Sequence, residues 1–208
     1  MRIVVFGAAG KTGREVVRQA LSAGHRVTAF ARNPSRIGLS HPDLVPIAGD
    51  VGDADTVKSA LEGQDAVISA LGNPVPYRRN PALVAGIASL VRQMQANGPR
   101  RLLYVSSVLV PETRAQAGAL VAALAPLLTG REVQDHVEKE ASVVGSDLDW
   151  TLFRPTKLSS GRATGSYQAS PSATARNLKT LPRADLAECM LRMLADARAS
   201  RSKIVVLP

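Results

Sequence analysis

The stretch that most limits what this chain can fold into is its start, Arg2 to Gly24. Ile3 to Phe6 is a short apolar run rich in β-branched residues, the pattern of a strand buried on both faces. Gly7, Gly10 and Gly13 follow. Val16, Val17, Ala20 and Leu21 then recur at helical spacing, and Gly24 stands where a helix-ending glycine belongs. Strand, glycine turn and helix in that order bring backbone N–H groups and the positive end of a helix dipole to the strand's carboxyl edge. A pyrophosphate can bind there. Gly7 allows the sharp turn, Gly10 lets a phosphate approach the backbone, and Gly13 lets helix and strand pack closely. An ordinary βα turn can also carry glycines. The flanking strand and helix are what favour the nucleotide reading.

The rest of the chain alternates strand and helix. Strands are expected at His25–Ala31, Leu44–Ala48, Asp65–Ala70, Arg101–Ser106, Leu148–Phe153 and Lys203–Leu207. Helices are expected at Asp53–Leu61, from Pro81 to Asn97-Gly98, at Arg131–Val144 and from Pro182. Right-handed crossovers then give an α/β fold, a doubly wound parallel sheet in one domain spanning residues 1–208, with its ligand crevice at the strands' carboxyl ends. Two stretches fall outside the alternation, Val108–Gly130 and Pro155–Leu181. They are expected to be loops walling the substrate side of that crevice. Ala117 to Leu128, the longest apolar run, is too short to span a bilayer and contains Pro126. It reads as a helix over the core or as a flap.

Charge and cysteine content narrow the function. The net charge is +9, from twenty arginines and six lysines against 17 acids. The basic residues are dispersed, with Arg78-Arg79 and Arg100-Arg101 the densest pairs, and aromatics are 3%, too few for base-stacking platforms. An anionic cofactor or substrate, or a compositional bias, accounts for the charge better than nucleic acid. Cys189 stands alone, so no internal disulfide forms. With Met1-Arg2 running straight into a strand, a cytoplasmic protein without a membrane segment is expected. His25, His41 and His136 share no metal-ligand spacing, and no metal is expected.

The second strand ends in Ala31-Arg32-Asn33-Pro34-Ser35-Arg36. An acid at this position would accept from the ribose 2′-OH of NAD, whereas an arginine suits the 2′-phosphate of NADP. Arg32 and Arg36 stand there with no carboxylate beside them, so NADP(H) is the expected cofactor, the alternative being two solvated arginines. Asp50, in Gly49-Asp50-Val51, can accept from an adenine amino group or cap a helix. Small residues in Ala70-Leu71-Gly72 allow close backbone approach or form a plain turn.

GAAGKTG, ARNPSR, GDV, GQDAVISALG, the YVSS strand end, LDWTLFRP and PRADLA together resemble the atypical short-chain dehydrogenase/reductases of the NAD(P)H-binding, NmrA-like kind. The chain is similar in length to the flavin and biliverdin reductases among them. The resemblance spans nearly the whole chain. It implies that Gly7, Ala9, Gly10, Lys11, Thr12, Gly13, Arg32, Arg36, Asp50, Val51, Leu71 and Gly72 line the cofactor. It implies that Ser106 or Ser107 lies beside the nicotinamide as the catalytic serine, and that Arg154-Pro155-Thr156 passes it with backbone contacts. Standard members carry a Tyr followed four residues later by Lys as proton donor. Here Tyr77, Tyr104 and Tyr167 are followed at that distance by Pro81, Val108 and Pro171, so the pair is absent. This argues against simple ketone reduction. It fits an NADPH-dependent reductase of a planar conjugated acceptor (a flavin, biliverdin or quinone), working as a monomer or weak dimer. The alternative is a non-catalytic NADP(H)-sensing regulator. His136 reads as a surface helix residue, or less readily as a substrate neighbour, and Ser106-Ser107 shows no basic partner in sequence.

Overall fold

A computed structural model describes every residue except 74, 76, 77 and 175–178, together with all side chains in helices except those of 126 and 128. In chain order the elements are β1 (Arg2–Phe6), α1 (Lys11–Ser22), β2 (Arg26–Ala31), β3 (Leu44–Ala48), α2 (Ala54–Leu61), β4 (Ala66–Ser69), α3 (Pro81–Asn97), β5 (Arg101–Val105), α4 (Ala119–Val144) and β6 (Asp149–Pro155). Then come β7 (Leu158–Ser159), β8 (Gln168–Ser170), β9 (Leu181–Pro182), α5 (Arg183–Arg192) and β10 (Ser202–Leu207). The sheet order is β3-β2-β1-β4-β5-β6-β10-β8, with every neighbour parallel except β10 and β8. This is a Rossmann arrangement. Chain direction across the sheet reverses between β1 and β4, and the ligand crevice of such sheets opens at that point.

The apolar run of β1 explains the layering. Ile3 and Val5 join Val16, Val17, Ala20 and Leu21 of α1 and Leu186, Ala187 and Met190 of α5 on one face. Val4 and Phe6 join Val57 of α2, Leu83, Ile87 and Leu90 of α3 and Val143 of α4 on the other. A strand covered by helices on both faces needs no polar alternation.

Two expectations need correction. Residues 119–130 are not a loop but, as one reading of Ala117–Leu128 had it, a helix: α4 runs unbroken from Ala119 to Val144, twelve residues longer at its start than the expected Arg131–Val144. Pro126 and Gly130 read as breakers, but Ala119 to Leu127 is mostly Ala and Leu, strong helix formers that carry the helix through a missing proline N–H. The stretch 155–181 also holds β7 and β8, and β9 begins at its end. β7 pairs with β9 in a two-stranded ribbon, and β8 pairs antiparallel with β10. Buried Asp185 ties this stretch down, accepting from the Thr164 and Gly165 amides at 2.8 and 3.0 Å and from the Thr164 hydroxyl at 2.6 Å. One dense basic pair has a structural member. Arg101 is buried and donates to the carbonyls of Met193 and Leu194 just past α5.

Candidate active site

The glycine turn has the geometry its sequence implies. Gly7 has φ +80°, and a Cβ there would lie 2.9 Å from the Ala70 carbonyl. A Cβ on Gly13 would stand 2.1 Å from the Gly7 oxygen, so α1 crosses the turn too closely for any side chain. Gly10 precedes α1 with extended backbone. No side chain caps the helix and no acid occupies its first turn. The first-turn amides are therefore open to an anion.

This turn floors a cleft of about 910 Å³. Its walls include Gly7, Ala9, Gly10, Lys11, Thr12, Arg32, Arg36, Asp50, Val51, Leu71 and Gly72, all expected from the sequence. Asn33 accepts from the Ser35 amide at 3.2 Å and starts the short turn that carries Arg36 to the cleft. Asp50 lines the cleft, and its Oδ1 accepts from the Gly52 amide at 2.9 Å. Gly13 lies beneath the turn rather than in the wall. Pro155 and Thr156 are also outside the wall. The Pro155 carbonyl accepts from Val108 N–H and Thr156 N–H donates to the Val206 carbonyl, while the Thr156 hydroxyl is buried without a partner. Asn73, Asn80 and Arg183 line the cleft although sequence reasoning did not single them out. Asn80 had a local signal, since Asn before Pro opens a helix. Its side chain accepts from the Leu83 amide at 3.1 Å.

A second cluster lies where β5, β6 and α4 meet. Asp135, His136, Lys139 and Glu140 share one side of α4 by helical spacing. His136 Nδ1 is 3.4 Å from the Ser106 hydroxyl. His136 is thus half-buried rather than a solvated surface residue, and Ser106 does have a basic partner. The contact spans 30 residues of sequence, so no local pattern announces it. Burial, then the neighbouring Lys139 ammonium, lower the His136 pKa to about 4 against a smaller opposing pull from Asp135. The ring is neutral at neutral pH. The Ser107 hydroxyl instead accepts from the Leu109 amide at 3.2 Å.

Charges behind the pair hold it in place. Buried Asp135 accepts from the Asn80 amide at 2.6 Å and contacts Arg79 Nε at 2.6 Å, and Arg79 also grips Glu138. Buried Lys139 has its pKa lowered by desolvation, against Asp135 and Glu132. One turn on, Glu140 holds buried Arg154 of β6 at 3.0 and 2.5 Å, and Arg154 reaches Glu112 at 2.8 Å. Arg154, then Lys203, depress Glu112 to about 2. Tyr104 lies buried beside Glu140 with an unpartnered hydroxyl, its pKa raised mainly by burial. Tyr167 donates to Glu188 on α5, and Tyr77 is outside the described residues. Among the described residues no cluster of His, Cys, Asp or Glu could hold a metal ion, and no helix is long and apolar enough to cross a membrane.

The sequence pattern of the NAD(P)H-binding family matches residues 7–197. The chain belongs to this family. An uncharacterized protein of Mycobacterium tuberculosis is 34% identical over 143 residues, 67% of this chain, and the match covers only 16% of that relative's length. Two solved structures extend the family resemblance at the level of fold. A short-chain dehydrogenase/reductase from Veillonella parvula, crystallised with NADP, aligns over 100% of this chain and 94% of its own with TM-score 0.82 and 20% identity. ChuY, an anaerobilin reductase from Escherichia coli O157:H7, aligns over 100% and 97% with TM-score 0.78 and 22% identity. As a member of the NAD(P)H-binding family, this chain takes a nicotinamide dinucleotide as its cofactor.

Proposed function

We propose that the protein is an NADPH-dependent reductase whose acceptor is a small planar conjugated molecule of flavin, tetrapyrrole or quinone type. The observation that carries this reading is the contact between Ser106 and a neutral His136 at the carboxyl end of β5. A binding protein needs the cleft alone. A hydroxyl oriented by a half-buried imidazole beyond the cofactor cradle serves chemistry. The resemblance in fold to an anaerobilin reductase agrees with this choice of acceptor.

The cradle fits the cofactor. Gly7 and Gly13 admit no Cβ, and the first-turn amides of α1 lack a cap. In this reading Gly10, Lys11 and Thr12 receive the pyrophosphate, Arg32 and Arg36 the 2′-phosphate, and Asp50 and Val51 the adenine. Leu71 and Gly72 pass the ribose. The cofactor supplies hydride when bound. With its proton on Nδ1, neutral His136 donates to the Ser106 oxygen, which fixes the hydroxyl's direction and leaves its own proton free to be given. Ser106 then gives a hydrogen bond to the acceptor atom on which negative charge develops. With its pKa near 4, His136 is a poor proton donor at neutral pH. The proton that completes reduction comes from water, which a conjugated acceptor tolerates and a plain ketone does not.

The deciding experiment is NADPH oxidation with FMN, biliverdin and quinones against a blank without acceptor. Acceptor-dependent oxidation that falls in Ser106→Ala is the expected result. A protein that binds NADPH tightly yet oxidises it no faster with any acceptor is the sensor instead.

A further inference from the structure

Four cations line the dinucleotide cleft: Lys11, Arg32, Arg36 and Arg183. Among the described residues none of the four forms an ion pair. Lys11, Arg32 and Arg36 are exposed and come from the first turns after β1 and β2. Arg183 differs on both counts. It is half-buried, and it opens α5, far along the chain. Arg79, Arg101 and Arg154 are also drawn into the protein, but each meets a carboxylate, that of Asp135, Asp149 and Glu140 respectively. Arg183 meets none, and burial alone pulls its pKa below the ordinary range. A half-buried cation with no carboxylate beside it is completed by an anion that arrives from solution.

The packing of α5 on α1 decides which anion. Thr12, Val16 and Gln19 share one side of α1 by helical spacing. α5 lies against that side. Val16 shares a core with Leu186, Ala187 and Met190, and the Gln19 side-chain amide donates to the Ala184 carbonyl at 2.9 Å. Arg183 is the residue before Ala184, so it enters the cleft beside α1, on the Thr12 side of that helix's uncapped amides. Asp185, two residues on, does not neutralise it, because that carboxylate is buried and taken up by Thr164 and Gly165. Arg32 and Arg36 stand elsewhere, after β2, where the 2′-phosphate belongs. The open amides of α1 suit the pyrophosphate.

We propose that Arg183 closes on the pyrophosphate of the dinucleotide from the α5 side, its planar fork taking phosphate oxygens that the α1 amides leave exposed. Arg32 then chooses between the two dinucleotides, and Arg183 reads the part they share. The proposal concerns the cofactor of the family and holds whether or not the protein turns an acceptor over. Dissociation constants of NADP⁺, NAD⁺ and ADP-ribose, measured by calorimetry on the full chain at fixed ionic strength, test it. ADP-ribose keeps the pyrophosphate but has neither nicotinamide nor 2′-phosphate. In Arg183→Gln all three ligands weaken about tenfold or more, the scale of one charge-assisted hydrogen bond, and by factors that agree within about twofold. Arg183→Lys keeps the charge without the fork and falls between parent and Arg183→Gln for all three. Should Arg183→Gln not fold, the lysine variant carries the test alone, with the same equal loss expected. Loss confined to NADP⁺ would move Arg183 to the 2′-phosphate. Loss confined to NADP⁺ and NAD⁺ would move it to the nicotinamide. Unchanged binding of all three would leave it no part in holding the cofactor. Each of these three results overturns the proposal.

Discussion

The two ends of the crevice are built from different materials. At the β1–α1 end the backbone makes the site: Gly7 and Gly13 have no room for a side chain, and α1 leaves its first amides open. At the α4 end side chains make it. Ser106 meets His136, Asn80 meets Asp135, and Arg154 joins Glu140 to Glu112 across spans of 14 to 55 residues. A backbone-built site tolerates change everywhere except at its glycines. A site built of buried charges depends on each partner, because removing one leaves the other uncompensated. The cofactor end can thus be shared across a broad family while the α4 end is remade.

That contrast is open to attack by mutation. Arg154→Met should do the most damage, destabilising the protein by about 3–5 kcal/mol by leaving Glu140 buried and alone. Chemical denaturation should show Arg154→Met/Glu140→Leu recovering much of the loss. If the double variant is no better than the single one, the pair is not the staple of the α4 end. Arg32→Ala should weaken NADPH about tenfold and leave NADH nearly unchanged, since one charge-assisted hydrogen bond to the 2′-phosphate goes and nothing else. Dissociation constants at fixed ionic strength decide this, and equal losses for both cofactors would withdraw the NADP preference. Ser106→Ala should lower kcat/KM by about 1–2 kcal/mol, the worth of one hydrogen bond, and Ser107→Ala by less, because Ser107 is turned to the Leu109 amide. The reverse ranking would move the chemistry to Ser107.

The last effect expected is on the pH dependence of stability. His136 titrates near 4 when folded and near 6.5 when unfolded, so between those values the unfolded chain binds more protons. Its neutral burial contributes no penalty above about pH 6.5. Stability is lost as pH falls from there towards 4. Glu112, depressed to about 2, contributes stability above its unfolded value near 4.5 that is lost as pH falls towards 2. His136→Asn should flatten the upper window and Glu112→Gln the lower one. Denaturation at stepped pH separates them, and an unchanged upper window in His136→Asn would mean the ring is not held neutral by burial.

Much of this protein was legible as sequence because much of it is local. A buried strand, a glycine turn and a capped helix each depend on neighbours in the chain, so Gly7, Gly10, Arg32, Arg36, Asp50 and Gly72 could be put at one crevice from spacing and resemblance. The continuity of α4 was not legible. Pro126 and Gly130 are local breakers, and only the whole helix with its packing overrides them. His136 was not legible either. On the helix it is flanked by Asp135 and, one turn on, Glu140, a polar pattern that reads as a solvated face. The fold turns that face inward because Arg79 and Asn80, and Arg154 of β6, bring it partners from two other segments.

The alternation of strand and helix, the two-sided burial of β1, the glycine cradle and the arginines after β2 follow from the amino-acid sequence, because each is set by interactions within a few residues and by the rules of right-handed crossover. Which serine faces a histidine and which arginines are buried in ion pairs were decided only in the tertiary structure. Those outcomes depend on desolvation and on partners far apart in the chain. A charged side chain has the same appearance in sequence whether water or a buried carboxylate completes it.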